Sequence, residues 1–102
     1  MNIADYNHLV IKFASPEKGC PDTCEYVVEE CAELIQAIQH MKRGRAGSRD
    51  KVVNEMADVY TLMDALRYKM GVSMDDIGEY QQALIDRYLN APNDGRHVPK
   101  SV

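Results

Sequence analysis

The sequence contains no tryptophan and no apolar run of about 18 residues, the length that a membrane-spanning helix requires. Its first residues, MNIADYNHLVIKF, lack the basic leader and the small-residue cleavage site of a secretory signal peptide. The three cysteines, Cys20, Cys24 and Cys31, are odd in number and do not have zinc-knuckle spacing. We therefore expect free thiols in a cytoplasmic protein that does not contact a membrane.

The sequence also has no excess of positive charge, because it contains 12 basic and 16 acidic residues and its net charge is −4. This balance argues against a general nucleic-acid binder. It leaves a small phosphorylated substrate open, since bound metal ions supply positive charge locally. At 102 residues the chain has the size of one domain. So small a core buries a modest fraction of the surface, and self-association is an expected supplement.

Alternating strand patterns, repeats and low-complexity tracts are absent, whereas helical periodicity runs through the first 90 residues. The predicted helices cover residues 3–14, from Asp22 or Thr23 to Met41 or Arg43, 48–70, and from Ser73 to about Asn90. The fold class is therefore all-α, with helical hairpins that form a four-helix-bundle-like core completed by oligomerisation. We expect one domain over residues 1–90 and a C-terminal tail over residues 91–102.

Two pairs of carboxylates dominate the predicted second and third helices. Glu30 and Glu33 form one pair, Glu55 and Asp58 the other, and each spacing of three places both side chains on one side of a helix. A turn with five basic residues among residues 42–51, here called the basic turn, joins the two helices. Glu33 and Asp58 are similarly far from this turn, so an antiparallel hairpin would bring the two pairs together. Four converging carboxylates repel one another unless cations lie between them. The pattern therefore predicts a divalent-metal site.

Glu55 is the carboxylate that a solvated helix face explains least well, because it falls within the apolar stripe between Val52 and Leu62. A carboxylate facing the core costs several kcal/mol unless it is paired or metal-bound. Lys51, one turn earlier, is an alternative partner, so a plain salt bridge stays open. All-oxygen ligation favours Mg²⁺, with Mn²⁺ as a substitute. No histidine follows a glutamate at a spacing of three, which disfavours a di-iron site, and zinc lacks its nitrogen and sulfur ligands.

Glu-Glu-x-x-Glu at residues 29–33 is followed, after twenty-one residues, by Glu-x-x-Asp at residues 55–58. With the flanking text EECAEL and NEMADVY, this pattern closely resembles the MazG-like branch of the all-α nucleoside triphosphate pyrophosphohydrolases, over about residues 22–90. The resemblance implies Mg²⁺-dependent hydrolysis between the α and β phosphates of a nucleotide, which releases a nucleoside monophosphate and pyrophosphate. It also implies a homodimer or homotetramer in which helices of two subunits meet at the site.

The same resemblance implies roles for individual residues. The metal ligands that it implies are Glu30, Glu33, Glu55 and Asp58. Glu29 would lie outside the ligand shell or orient the attacking water. Relatives often carry a basic residue in the last helix that touches phosphate, and Arg87 is the only one here. Phosphate contacts are therefore also expected from Lys51 or from the basic turn that includes Arg49, whose alternative role is helix-end charge and solubility.

No sequence motif in this chain identifies which base the substrate carries. Candidates for lining a nucleoside pocket are Tyr6, Asn7 and Tyr26, although aromatic residues at helical spacing are more often part of a core. A phosphoribosyl-ATP substrate, or a preference for dUTP or dCTP, stays open within the same superfamily. A further alternative is a non-catalytic helical adaptor whose acidic pairs form inter-subunit salt bridges with the basic turn.

Overall fold

A computed structural model describes residues 1–90 of the chain, and that part is all-helical, without strands. The helices are α1 (Ile3–Ala14), α2 (Thr23–Lys42), α3 (Ser48–Met70) and α4 (Met74–Ile85), followed by a π-helical turn (Asp86–Asn90). The predicted all-α class and the bounds of the first three helices are confirmed. No helix within residues 1–90 combines the length and the apolar character needed to cross a membrane.

The helix ends follow from local chemistry. Asp22 accepts a hydrogen bond from the backbone N–H of Glu25 at 2.9 Å, which satisfies a free donor at the start of α2. Gly44 and Gly47 both have positive φ, so the chain reverses in a short turn between α2 and α3. Gly71 adopts the left-handed conformation and ends α3.

The last predicted helix differs from the expectation, since regular α-helix ends at Ile85 and a wider π-helical turn continues to Asn90. The carboxylate of Asp86 accepts hydrogen bonds there from the side-chain amides of Gln82 and Asn90, and such local bonds compete with helical geometry. The predicted tail over residues 91–102 lies outside the described residues. By its contacts the chain divides into two units, Met1–Gly71 and a second that begins at Val72, and the expected single domain stays a prediction.

Within the first unit, α2 and α3 pack against each other as a hairpin, and α1 packs on α3. The small core of α1 and α3 contains Val10, Ala14 and Ala65, with Tyr6 and Phe13 packed around it. Two hydrogen bonds fix α1 in place. The Thr23 hydroxyl donates to the carbonyl of Phe13 at 2.7 Å, and the Tyr6 hydroxyl donates to Asp64.

The apolar stripes of α2 and α3 are wider than the contact between the two helices. The exposed or half-buried part of each is here called a seam. Its residues alternate in spacing between three and four, as is typical of helix-bundle interfaces, except for the step of seven from Met63 to Met70. The α2 seam is Cys24, Val28, Cys31, Ile35 and Ile38, and the α3 seam is Val53, Met56, Tyr60, Met63 and Met70. Val28 is 68% exposed and Tyr60 is 69% exposed. Part of the predicted apolar face therefore lies at the surface of the single chain.

Candidate metal centre and adjoining cleft

Three carboxylates meet where α2 faces α3. Glu30 comes from α2, whereas Glu55 and Asp58 lie one turn apart on α3. One oxygen atom from each lies within 4.8 Å of the others, and we call this group the carboxylate cluster. The hairpin thus brings together three of the four predicted metal ligands.

Glu55 is the most unusual member of the carboxylate cluster, because it is only 2% exposed. Its Oε1 atom lies 2.7 Å from Nζ of Lys51, whereas its Oε2 atom is buried without a hydrogen-bond partner. Oε2 of Glu30 is also buried and unpartnered. Buried acceptor atoms normally accept a hydrogen bond, and burying an acceptor without one costs free energy. The cluster therefore presents two acceptor atoms whose natural complement is a cation.

The charges in the carboxylate cluster perturb one another. Burial, with a further contribution from the negative charges of Glu33 and Asp58, raises the pKa of Glu30 to about 7. The hydrogen bond from Lys51 holds the pKa of Glu55 below its ordinary value, despite the opposing effect of burial. The same contact raises the pKa of Lys51. The predicted salt-bridge alternative is thus present, but it satisfies only one of the two oxygen atoms of Glu55.

The donor set fits a hard divalent cation. All three groups of the carboxylate cluster offer oxygen, which suits Mg²⁺ or Mn²⁺ better than zinc. Asp58 is exposed, so the cluster is open to solvent on that side, and Mg²⁺ characteristically keeps several water ligands. Glu30, Glu55 and Asp58 would hold the ion, with the unpartnered oxygens of Glu30 and Glu55 as the first candidates.

The remaining residues predicted for the site lie in different places. Glu33 is exposed and outside the carboxylate cluster, yet close enough for its charge to raise the pKa of Glu30. Glu29 lines a separate surface depression with Val28 and other residues at the start of α2. Arg49 is exposed in the first turn of α3. Arg87 belongs to the second unit, where its guanidinium lies 5.3 Å from the centre of the Tyr88 ring.

A cleft of about 250 Å³ adjoins the carboxylate cluster. Its lining residues come from α1, α2 and α3: Leu9, Phe13, Tyr26, Glu30, Asp58, Thr61 and Leu62. Phe13 and Tyr26 contact each other edge to face, with ring centres 5.8 Å apart. Glu30 and Asp58 belong to both the cleft and the cluster, so an acidic end is continuous with an apolar, aromatic end.

Only part of this cleft is predicted by the sequence. Tyr26 lines it, but Tyr6 instead donates its hydroxyl to Asp64. The sequence does not predict Leu9, Phe13 or Thr61 as site residues. The periodicity of α1 shows which of its residues are apolar but not which surface α1 packs on. The sequence therefore carries no signal for Leu9 and Phe13, or for Thr61 on the part of α3 that α1 packs against.

No family model, curated protein or solved structure matches this chain. Function is therefore inferred from the carboxylate cluster and the cleft beside it.

Proposed function

We propose that this protein is a Mg²⁺-dependent nucleoside triphosphate pyrophosphohydrolase, which cleaves between the α and β phosphates to give a nucleoside monophosphate and pyrophosphate. The observation that carries the proposal is the buried Glu55 carboxylate, whose Oε2 atom has no partner although Glu30 and Asp58 lie beside it. An acidic group that merely covered the surface would be hydrated. A carboxylate this deeply buried is expected to have a cationic complement beyond Lys51.

The cleft supports an organic phosphate as substrate. Its apolar end offers Leu9, Phe13 and Tyr26 to a flat ring, and its acidic end is the carboxylate cluster itself. A nucleotide has the same polarity, with an aromatic base at one end and anionic phosphates at the other. Base stacking on aromatic side chains is tolerant of base identity, so this lining alone does not select one nucleotide.

The acidic and basic residues of the site have different roles in this proposal. Glu30, Glu55 and Asp58 repel a bare triphosphate, so substrate binding requires divalent ions. When bound, such ions offset both sets of negative charge and lower the pKa of a coordinated water. Lys51 is the basic side chain in contact with the cluster, and three donor protons on a flexible stem suit it to a phosphate oxygen. Glu33 adds negative charge at the rim of the cluster.

We further propose that two copies pair through the seams, so that two hairpins form one four-helix bundle. Ile35 lies about 180° around α2 from Tyr26, and Met63 about 160° around α3 from Thr61, so both seams face away from the cleft and α1. A second identical hairpin would cover these two rows of exposed and half-buried apolar residues. A stable interface needs about 800 Å² from each partner, and ten side chains along two long helices are suited to supply it.

Product analysis tests the proposed reaction. The purified protein is incubated with Mg²⁺ and each of the canonical ribo- and deoxyribonucleoside triphosphates, and phosphorus NMR identifies the products. We expect nucleoside monophosphate and pyrophosphate, no turnover in a chelator, and no turnover by Glu55→Gln. Release of nucleoside diphosphate and orthophosphate would contradict cleavage between the α and β phosphates. Adding phosphoribosyl-ATP and dUTP to this panel, which already contains dCTP, separates the narrower substrate alternatives.

A second candidate is the non-catalytic adaptor held together by ion pairs. The Lys51–Glu55 contact at 2.7 Å pairs a basic residue with one of the acidic residues, but it lies within one helix and not between subunits, as this alternative requires. An adaptor would lose stability with added salt and gain none from Mg²⁺. A metal site gains stability with the concentration of the ion. Thermal unfolding in NaCl and in MgCl₂ at equal ionic strength therefore distinguishes the two.

A further inference from the structure

Lys51 has an unusual position beside the carboxylate cluster. Its side chain is 59% exposed, yet its Nζ atom reaches the 2%-exposed carboxylate of Glu55 at 2.7 Å. The charges of Glu33 and Asp58 act on the same ammonium group. The long apolar stem lets the charged end reach the cluster from the solvent side. Lys51 thus acts as a counter-ion to several carboxylates at once.

We propose that Lys51 is a tethered counter-cation, which competes with the divalent ion for the carboxylate cluster in the metal-free protein and turns to the anionic substrate once the ion is bound. This inference rests on the proposed function. The ammonium group of Lys51 pairs with Oε1 of Glu55, and Oε2 of Glu55 has no hydrogen-bond partner. A divalent ion held by the carboxylate cluster would repel the ammonium and would also weaken the negative field that holds the ammonium there. The exposed stem can then swing without disturbing the core.

This exchange has a thermodynamic consequence. A ligand that moves Lys51 away from Glu55 favours metal binding. Metal binding in turn releases the Lys51 ammonium from Glu55, so that it can bind a phosphate oxygen. Because such coupling is reciprocal, metal and nucleotide should each increase the affinity for the other beyond their direct contact. The opposite role, in which Lys51 orients Glu55 for the metal, predicts weaker metal binding when the lysine is removed. The sign of one measurement therefore separates the two roles.

Electrostatics favours competition over orientation. A unit positive charge within a few ångström of a divalent ion repels it strongly, even at the effective dielectric constant of about 20 found near protein surfaces. Orientation by Lys51 would have to come from a side chain that is largely exposed and rich in rotamers. Glu55 is already held by burial in the hairpin.

The test measures Mn²⁺ alone, by electron paramagnetic resonance of the unbound ion, in the wild type and three variants of the full chain. Lys51→Met and Lys51→Gln both remove the charge, and Lys51→Gln keeps a hydrogen-bond donor for Glu55. We expect both to bind Mn²⁺ about tenfold more tightly. Lys51→Arg should match the wild type. Equal or weaker binding by Lys51→Met and Lys51→Gln would overturn the proposal.

A matched control is Lys69→Met, an exposed lysine on the same helix, eighteen residues and about 27 Å further along α3. It makes the same change in net charge and should leave Mn²⁺ binding unchanged. If Lys69→Met tightens binding as much as Lys51→Met, the effect is one of overall charge and the proposal fails. If neither the wild type nor any variant binds Mn²⁺, the metal centre itself is refuted, which is a distinguishable result.

A second measurement covers the case in which Lys51→Met is only marginally folded. Its metal-free melting temperature should fall, because Glu55 loses its partner, and saturating Mn²⁺ should raise it by more than in the wild type. Affinity for a non-hydrolysable nucleoside triphosphate in the presence of Mn²⁺ should move the other way, with a loss of about tenfold. Unchanged nucleotide affinity in both neutral variants would refute the second half of the exchange.

Discussion

Glu30 and Glu55 belong to the same carboxylate cluster, and each has a buried carboxylate oxygen without a hydrogen-bond partner. The two residues come from different helices, so packing of α2 on α3 itself creates the unfavourable contact. Hydrophobic burial along the hairpin has to offset this repulsion in the metal-free protein. The local cost is the physical reason to expect that stability and cation binding are linked.

The first prediction concerns that link. In the wild type, millimolar Mg²⁺ or Mn²⁺ should raise the melting temperature, because an ion that binds only the folded chain stabilises it by mass action. Glu55→Gln should abolish the increase while the far-ultraviolet circular dichroism remains helical. Glu25→Gln, an exposed carboxylate in the first turn of α2, is the matched control and should retain the full increase. An unchanged metal response in Glu55→Gln would exclude Glu55 from the site.

A second prediction follows from the pKa of Glu30, which is about 7 in the folded chain and 4.5 ordinarily. Between these values the folded state binds more protons than the unfolded state, so the free energy of unfolding falls as pH rises. We expect a loss of about 1 to 2 kcal/mol from about pH 5 to pH 8 in a chelator, after allowance for solvent screening. Urea unfolding at several pH values measures it.

Glu30→Gln is the control for this pH dependence and should flatten the curve. Among the described residues, the other resolved shifts lie outside the window, since Tyr6 and Lys51 have raised pKa values above it and the shifted carboxyls have lowered values below it. With Mg²⁺ present the trend should reverse, because protons and metal compete for Glu30. A chelated wild type that gains stability from pH 5 to pH 8 would contradict the assignment.

The first three helices and all three residues of the carboxylate cluster are predictable from the sequence for a simple reason. Helical periodicity and a spacing of three residues are local properties of the sequence. The short turn with its two glycines restricts how α2 and α3 can align along the hairpin. Glu55 inside an apolar stripe was therefore a reliable signal. Glu29 was placed at the site by resemblance alone, and the structure puts it in a different surface depression. A one-residue step around a helix moves a side chain by about 100°.

The features that the sequence did not reveal depend on tertiary packing. The position of α1 on α3 is set by contacts such as the bond from Tyr6 to Asp64, which are 58 residues apart. Phe13 and Leu9 enter the cleft only because α1 packs in that orientation. Likewise, periodicity cannot distinguish an apolar residue that faces a neighbouring helix from one in a seam. Burial in the folded chain was needed to separate Leu62 from Met63.

A third prediction addresses the attachment of α1. The hydrogen bond from Tyr6 is the main cause of the lowered pKa of Asp64, and Arg67 also donates to that carboxylate. Tyr6→Phe and Asp64→Asn should each cost about 1 to 2 kcal/mol of unfolding free energy, and the double variant less than their sum. Tyr80→Phe, on an exposed tyrosine of α4, is the control and should cost nothing measurable. Additive effects would show that the contact contributes no coupling.

A fourth prediction concerns the seams. Ile35→Lys should convert a dimer to a monomer, because the charge would be buried between two copies, whereas at a free surface position it costs less than about 0.5 kcal/mol. Light scattering coupled to size exclusion measures the mass. Ile11→Lys introduces the same charge at an exposed position of α1 outside the seams and should leave the dimer intact. Equal masses for the wild type and Ile35→Lys would contradict pairing through this face.

The last prediction uses the shape of the cleft. Leu9 and Ile11 lie on the same helix and are similarly exposed, but only Leu9 lines the cleft. Leu9→Trp should fill the space for a flat ring and weaken nucleotide binding about tenfold or more, whereas Ile11→Trp should not. Inorganic tripolyphosphate has no base, so both variants should bind it with Mn²⁺ as the wild type does. If Leu9→Trp weakens both ligands equally, the cleft receives the phosphates and not the base.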